Sequence, residues 1–220
     1  MKILMFGATG MVGQGVLREC LLDDRITEIV SVVRSTSGQQ SSKLSEIVLP
    51  DLAGIEAVAD RFSGFDACFF CLGISSVGMS EADYTRITYD LTLAVANVLA
   101  PLNSKMTFIY VTGAGTSRDS RQMWSRVKAR TEDALAALPF KATYFFRPGF
   151  IQPLHGVVSK TRWYMTAYAV IRPFSSVLVR RFPGIATTTA RLGQAMINAA
   201  ADGYSKPVLE SADINIASGM

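Results

Sequence analysis

Short apolar runs alternate with amphipathic stretches along the first two-thirds of the chain, a pattern that predicts strands joined by helices. "KILMFG" reads as a buried strand. "GMVGQGVLRECLL" reads as the helix after it, with Val12, Val16, Leu17 and Leu21 near helical spacing. "EIVSVVR" is a second strand, "EIVLPDL" a short third, "IEAVADRF" a helix and "DACFFCLG" a fourth strand. "SEADYTRITYDLTLAVANVLA" follows as a long helix, "MTFIYVTG" as a fifth strand, "MWSRVKARTEDALAAL" as a helix and "KATYFFRPG" as a sixth strand. Continuous apolar strands separated by helices imply a parallel sheet covered on both faces, an α/β doubly wound fold of the Rossmann kind. The polar stretch "RSTSGQQSSK" reads as a loop.

After Gly149 the pattern changes. "RWYMTAYAVIRPFSSVLVRRFPG" is apolar, aromatic and basic, with Pro173 interrupting it. "TTARLGQAMINAAADG" predicts a helix ended by Gly203, and "KPVLESADINIAS" a last strand. Residues 1–220 therefore read as one domain, with about 150–220 as a substrate-side elaboration. Trp163, Tyr164, Tyr168 and Phe174 are interleaved with Lys160, Arg162, Arg172, Arg180 and Arg181. Such a segment suits an apolar substrate pocket, a homo-oligomer contact or a membrane-surface helix. Plain cover over the open side of the sheet is the reading its composition favours.

Composition narrows the function classes. Apolar residues make up 49% of the 220, enough for a sizeable core. The net charge of +4 (22 basic less 18 acidic) suits a polyanionic cofactor. It argues against nucleic acid, since the basic residues form no long run and no recognition module is visible. No uncharged apolar run is long enough for a transmembrane helix, and the short N-terminal run enters a glycine turn rather than a signal-peptide cleavage site. Cys20, Cys68 and Cys71 are too few for a disulfide framework and point to a reducing cytoplasm. "CFFC" has metal-ligand spacing, but on a strand Cys68 and Cys71 face opposite ways, and His155 is the only histidine. No metal site is expected, although Cys71 lies near the strand end, where it can line a cleft.

"GATGMVG" sits between the first strand and the first helix, the context in which glycines serve a dinucleotide. Gly7 permits the sharp turn, Gly10 lets the backbone approach a pyrophosphate, and Gly13 lets the helix pack on the sheet. Thr9, Met11 and Val12 complete the turn, and the helix N-terminus faces the phosphates. At the end of the second strand an acidic residue would bond the ribose of NAD, whereas an arginine accommodates the 2′-phosphate of NADP. Arg34 stands there, followed by Ser35, Thr36 and Ser37, while Glu28 lies at the strand start. NADP is therefore expected over NAD.

The spacing G-x-x-G-x-x-G, together with "LPDL", "CLG", "VTGAG", "WSRVK" and "RPG", resembles the extended and atypical branches of the short-chain dehydrogenase/reductase superfamily. Closest in appearance are NmrA-like and Tat-interacting-protein-like oxidoreductases, and short proteins named as NAD-dependent sugar-nucleotide epimerases or dehydratases. The resemblance covers most of the chain. It implies that Asp51 and Leu52 border the adenine, and that Cys71, Leu72 and Gly73 pass close to the cofactor. It likewise implies that Pro148 lies near the nicotinamide, with Lys128 on its ribose and Thr112 polarising the substrate oxygen. Thr116 and Ser117 are the other candidate hydroxyls.

In that family a tyrosine four residues before the lysine carries the proton. Here the position holds Trp124, on the same helix face as Lys128. An indole N–H donates hydrogen bonds but is no acid near neutral pH. Three readings stay open. Another group (Tyr84, Tyr89, Tyr164, His155 or water) supplies the proton; the chain reduces weakly or performs an unusual reaction on a small-molecule substrate; or it is a catalytically silent NADP(H)-binding regulator or redox sensor.

Overall fold

β1 (Lys2–Phe6) is buried at every residue after the first, because it has a strand on each edge and helices on each face. The computed structural model describes residues 1–157, 179 and 181–220. β1 pairs in parallel with β2 (Glu28–Val33) and with β4 (Ala67–Phe70). Outward from these lie β3 (Leu44–Val48) on one side, and β5 (Thr107–Val111), β6 (Ala142–Arg147) and β9 (Val208–Glu210) on the other. The order is β3-β2-β1-β4-β5-β6-β9, with every neighbouring pair parallel. This is the doubly wound α/β sheet expected from the apolar runs. The strand order turns back at β1, so the carboxyl ends of β1 and β4 mark the switch point at which open α/β sheets bind their ligands.

The period-two pleat divides the core. Ile3, Met5, Ala67, Phe69, Ile109 and Phe146 enter one apolar layer with α1 (Met11–Leu22) and α5 (Thr189–Asp202). Leu4, Phe6, Cys68, Phe70, Phe108 and Tyr110 enter the other with α3 (Leu91–Leu102). Cys68 belongs to the second layer and Cys71 packs against the first, on opposite faces as the alternation requires. All three cysteines are free, and no group of potential metal ligands occurs among the described residues.

Four local features differ from the sequence pattern. The helix expected at "IEAVADRF" is a tight 3-10 run, Leu52–Phe62, broken by non-helical angles at Gly54 and Val58. The long helix before β5 is α2 (Glu81–Thr85), a wide π turn at Arg86–Asp90, and then α3. "KPVLESADINIAS" divides into β9 and α6 (Ser211–Ala217), because Glu210 and Asp213 form a reciprocal capping box that starts a helix. β7 (Phe150–Gln152) and β8 (Ala186–Thr188) pair in parallel as a separate ribbon that the sequence did not announce. Gly203 ends α5 as expected. α4 (Met123–Ala136) carries the "WSRVK" segment. Lys160, Arg162, Trp163, Tyr164, Tyr168, Arg172, Pro173, Phe174 and Arg180 lie outside the described residues. Among those described, no helix is long and apolar enough to cross a membrane.

Candidate functional site

The three glycines of the turn answer to different demands. Gly7 has φ +84°, and a side chain there would strike the Cys71 backbone at 2.7 Å. A methyl at Gly13 would lie 2.0 Å from the Gly7 carbonyl oxygen, so the helix can seat itself only without one. At Gly10 the chain itself asks for little: the nearest atom to an added methyl is the Gly7 oxygen at 3.4 Å. Gly10 is the N-cap of α1, its N–H donates to the Gly7 carbonyl at 3.0 Å, and no side chain caps the helix. The first turn carries no acidic residue. Its leading N–H groups thus keep their positive end for an outside acceptor. Met11 and Val12 turn their side chains onto the first core layer, and the Thr9 carbonyl accepts from Gln14 Nε2 at 3.0 Å.

The neighbouring strand ends meet this turn. Arg34 follows β2, is exposed, and has no hydrogen-bond or ion-pair partner among the described residues. Asp51 caps the 3-10 run by accepting from the Ala53 N–H at 2.9 Å, and Leu52 packs on the second core layer. The Cys71 N–H donates to the Phe6 carbonyl at 2.9 Å, tying the end of β4 to β1. Burial pushes the Cys71 thiol up to about 12, which makes it an inert neutral group rather than a nucleophile. Leu72 packs on the second layer, and a side chain at Gly73 would meet open space.

The second half of the site gathers at the ends of β5, β6 and α4. Lys128 Nζ donates to the Thr112 carbonyl at 2.6 Å and stands 5.9 Å from the Trp124 ring centre. Burial lowers the Lys128 ammonium to about 8, against the opposing pull of Glu132 one helical turn on. Thr112 Oγ1 donates to Glu132 Oε1 at 2.8 Å, so this hydroxyl is turned inward. Arg147, the last residue of β6, donates from Nε to Glu132 Oε1 at 3.0 Å and from Nη2 to Oε2. Glu132 is only 4% exposed, and Arg147 also approaches Glu210 at 3.6 Å. Beyond Arg147, the buried Pro148 accepts from the Ala114 N–H at 3.0 Å, which joins the β5 and β6 ends.

Trp124, Lys128, Thr112 and Pro148 are thus one cluster, while Gly7 to Gly13, Cys71 and Leu72 form another on β1 and β4. Other expected groups are engaged within the protein or lie elsewhere. The Thr116 hydroxyl donates to the Gly113 carbonyl at 2.8 Å, and the Ser117 N–H donates to Ser125 Oγ at 2.9 Å. Tyr84 is buried, and Tyr89 lies under Arg130, 4.6 Å from its guanidinium. His155 is exposed with φ 57°. Glu132 and Arg147 were not singled out from the sequence. The available signals were the four-residue step from Lys128 to Glu132 and the arginine that opens "RPG".

Residues 3–133 match the NAD dependent epimerase/dehydratase family. The chain belongs to that family. Its fold agrees: UDP-glucuronic acid 4-epimerase from Bacillus cereus, solved in complex with NAD, superposes with TM-score 0.69 at 13% identity, over 96% of this chain and 76% of that one. A short-chain dehydrogenase/reductase from Saccharomyces cerevisiae gives TM-score 0.70 at 12% identity, over 96% of both chains. Among curated proteins, "Protein fmp52, mitochondrial" of Emericella nidulans is 26% identical over 209 residues, covering 90% of this chain and 86% of its own. Membership of the epimerase/dehydratase family makes a nicotinamide dinucleotide the cofactor class of this fold. The cytoplasmic location expected from the cysteines is overturned by the curated relatives, which are named mitochondrial. Unpaired cysteines report a reducing setting and carry no address, which is why that inference failed.

Proposed function

We propose that this chain binds NADP(H) along the carboxyl ends of β1, β2, β4 and β5 and acts as an atypical short-chain reductase or epimerase-like enzyme. The observation that carries the reading is the uncapped N-terminus of α1 behind Gly10, at the point where the strand order turns back. A pyrophosphate fits there, because the helix offers N–H donors and no side chain blocks the approach. The unpartnered Arg34 supports NADP over NAD, since a guanidinium takes a phosphate in bidentate fashion. Asp51 and Leu52 would border the adenine, and Cys71, Leu72, Gly73 and Pro148 would line the path to the nicotinamide. Lys128 would hold the nicotinamide ribose with the donors it does not give to Thr112. When bound, the nicotinamide supplies or accepts hydride. Residues from about 150 onward would form the substrate side of a single domain.

One observation favours a second reading, in which the chain binds NADP(H) as a silent regulator or redox sensor. Trp124 occupies the position of the acid, and the Thr112 and Thr116 hydroxyls are both spent on the protein. Titration with NADPH and with NADH, followed by cofactor fluorescence, tests binding. NADPH binding at least about tenfold tighter than NADH is expected, as a lost charge-assisted contact is worth about 1.5–3 kcal/mol. Equal affinities would remove NADP preference, and failure of both to bind would remove the cofactor. Trp124→Tyr separates the two readings, because a reductase site should gain carbonyl reduction from a restored phenol whereas a sensor site should not.

A further inference from the structure

Reduction of a carbonyl needs a proton donor, and the described residues narrow the choice. The Thr112, Thr116 and Ser125 hydroxyls each donate inward, to Glu132, to the Gly113 carbonyl and to the Gly115 carbonyl. Tyr84 is 2% exposed. Tyr89 packs under Arg130, which shares a face of α4 with Arg126. That face lies two residues, about 200°, around the helix from Trp124 and Lys128. Lys128 has a different character. Its ammonium spends one donor on the Thr112 carbonyl. Residue 113 beside it is glycine, so no side chain stands there; a Cβ would lie 3.6 Å from Nζ.

We propose that the Lys128 ammonium is itself the general acid of this site, taking over the step that a tyrosine performs elsewhere in the family. The proposal rests on the NADP(H) reading above. A bound reduced nicotinamide would supply hydride to the carbonyl carbon and be oxidised, while Lys128 would give one Nζ proton to the carbonyl oxygen. A C–H and an O–H bond would form, and the neutral amine would be reprotonated from water. The groups facing Nζ suit this. From the residue after β5 comes the Thr112 carbonyl, and from α4 come the Trp124 ring and Glu132. Arg147 of β6 and Glu210 of β9 complete the charged set behind Glu132. Burial brings the lysine to about 8, inside the range in which a lysine works as an acid near neutral pH.

The test uses NADPH with 4-nitrobenzaldehyde and 9,10-phenanthrenequinone as probes, on the full chain and on Lys128→Arg. An arginine keeps the charge and the ribose donors but cannot release a proton. Three results are expected. The wild-type rate falls about tenfold per pH unit above about 8, as an acid of that pKa requires. Lys128→Arg binds NADPH within about threefold of wild type yet reduces the probes at least about a hundredfold more slowly, the scale of general acid catalysis. In NMR of the ¹³C-methylated protein, one lysine signal titrates near 8 and is missing from the variant. A Lys128 signal that titrates near the ordinary lysine value would overturn the proposal. So would an arginine variant as fast as wild type, a pH break removed by His155→Ala instead, or NADPH-loaded wild type that reduces neither probe at any pH. Failure of wild type to bind NADPH would be a different result, since it overturns the cofactor reading on which the proposal rests.

Discussion

The glycine turn, at the ends of β1 and β4, and the α4 cluster, beside the ends of β5 and β6, are built by opposite means. At the turn the backbone does the work: a positive φ at Gly7, a carbonyl seated against Gly13, and an uncapped helix end behind Gly10. At α4 the backbone is an ordinary helix, and everything depends on which side chain has claimed which partner. Thr112 is bound to Glu132, Glu132 to Arg147, and Lys128 to the Thr112 carbonyl. A site made of backbone tolerates divergence in its surroundings. A site made of side chains can change its chemistry with one substitution.

The largest effect is expected at the turn. Gly13→Ala should cost about 3 kcal/mol or more in chemical denaturation, because a methyl 2.0 Å from the Gly7 oxygen forces α1 away from the sheet. Gly10→Ala should cost about 1 kcal/mol or less in unfolding, since alanine is only a poorer N-cap, while weakening NADPH binding at least about tenfold. Equal destabilisation by both would mean that Gly10 serves the fold rather than a ligand.

At the other end, Glu132→Gln should cost about 3 kcal/mol in urea unfolding, since it leaves the Arg147 guanidinium without its buried counter-charge. It should also move Lys128 further below about 8, because Glu132 is the group that holds the ammonium up. An unchanged lysine titration in this variant would show that the two are not coupled.

Arg34→Ala should weaken NADPH about tenfold and leave NADH and unfolding unchanged, because the exposed guanidinium has no partner to lose. The smallest effect concerns pH. Lys128 falls from 10.5 to about 8 on folding, so between those values the unfolded chain holds more protons and stability rises with pH. The penalty is fully present below about 8. Thermal unfolding should show a gain on the order of 1 kcal/mol from pH 8 to 10, discounted for partial solvent access, and Lys128→Met should lack it.

The turn was legible in the sequence because its determinants are local: glycines at fixed spacing, bounded by an apolar strand and an amphipathic helix. The sheet was legible for the same reason, through runs such as "KILMF" that are apolar on both faces. The Glu132–Arg147 pair was not, since its partners lie 15 residues apart and meet only when β6 lies beside β5 and under α4. Nor was the inward turn of the Thr112 hydroxyl, which depends on that same carboxylate. The β7–β8 ribbon joins segments on either side of a long intervening stretch, a non-local pairing with no periodic signature of its own.

Backbone hydrogen exchange with and without saturating NADPH tests most directly whether the two clusters serve one ligand. Slower exchange is expected at the amides of Gly10 to Gly13 and, in the same experiment, at Gly113 to Gly115 beside Lys128. Protection at neither segment, with binding demonstrated, would contradict it and place the cofactor elsewhere on the chain.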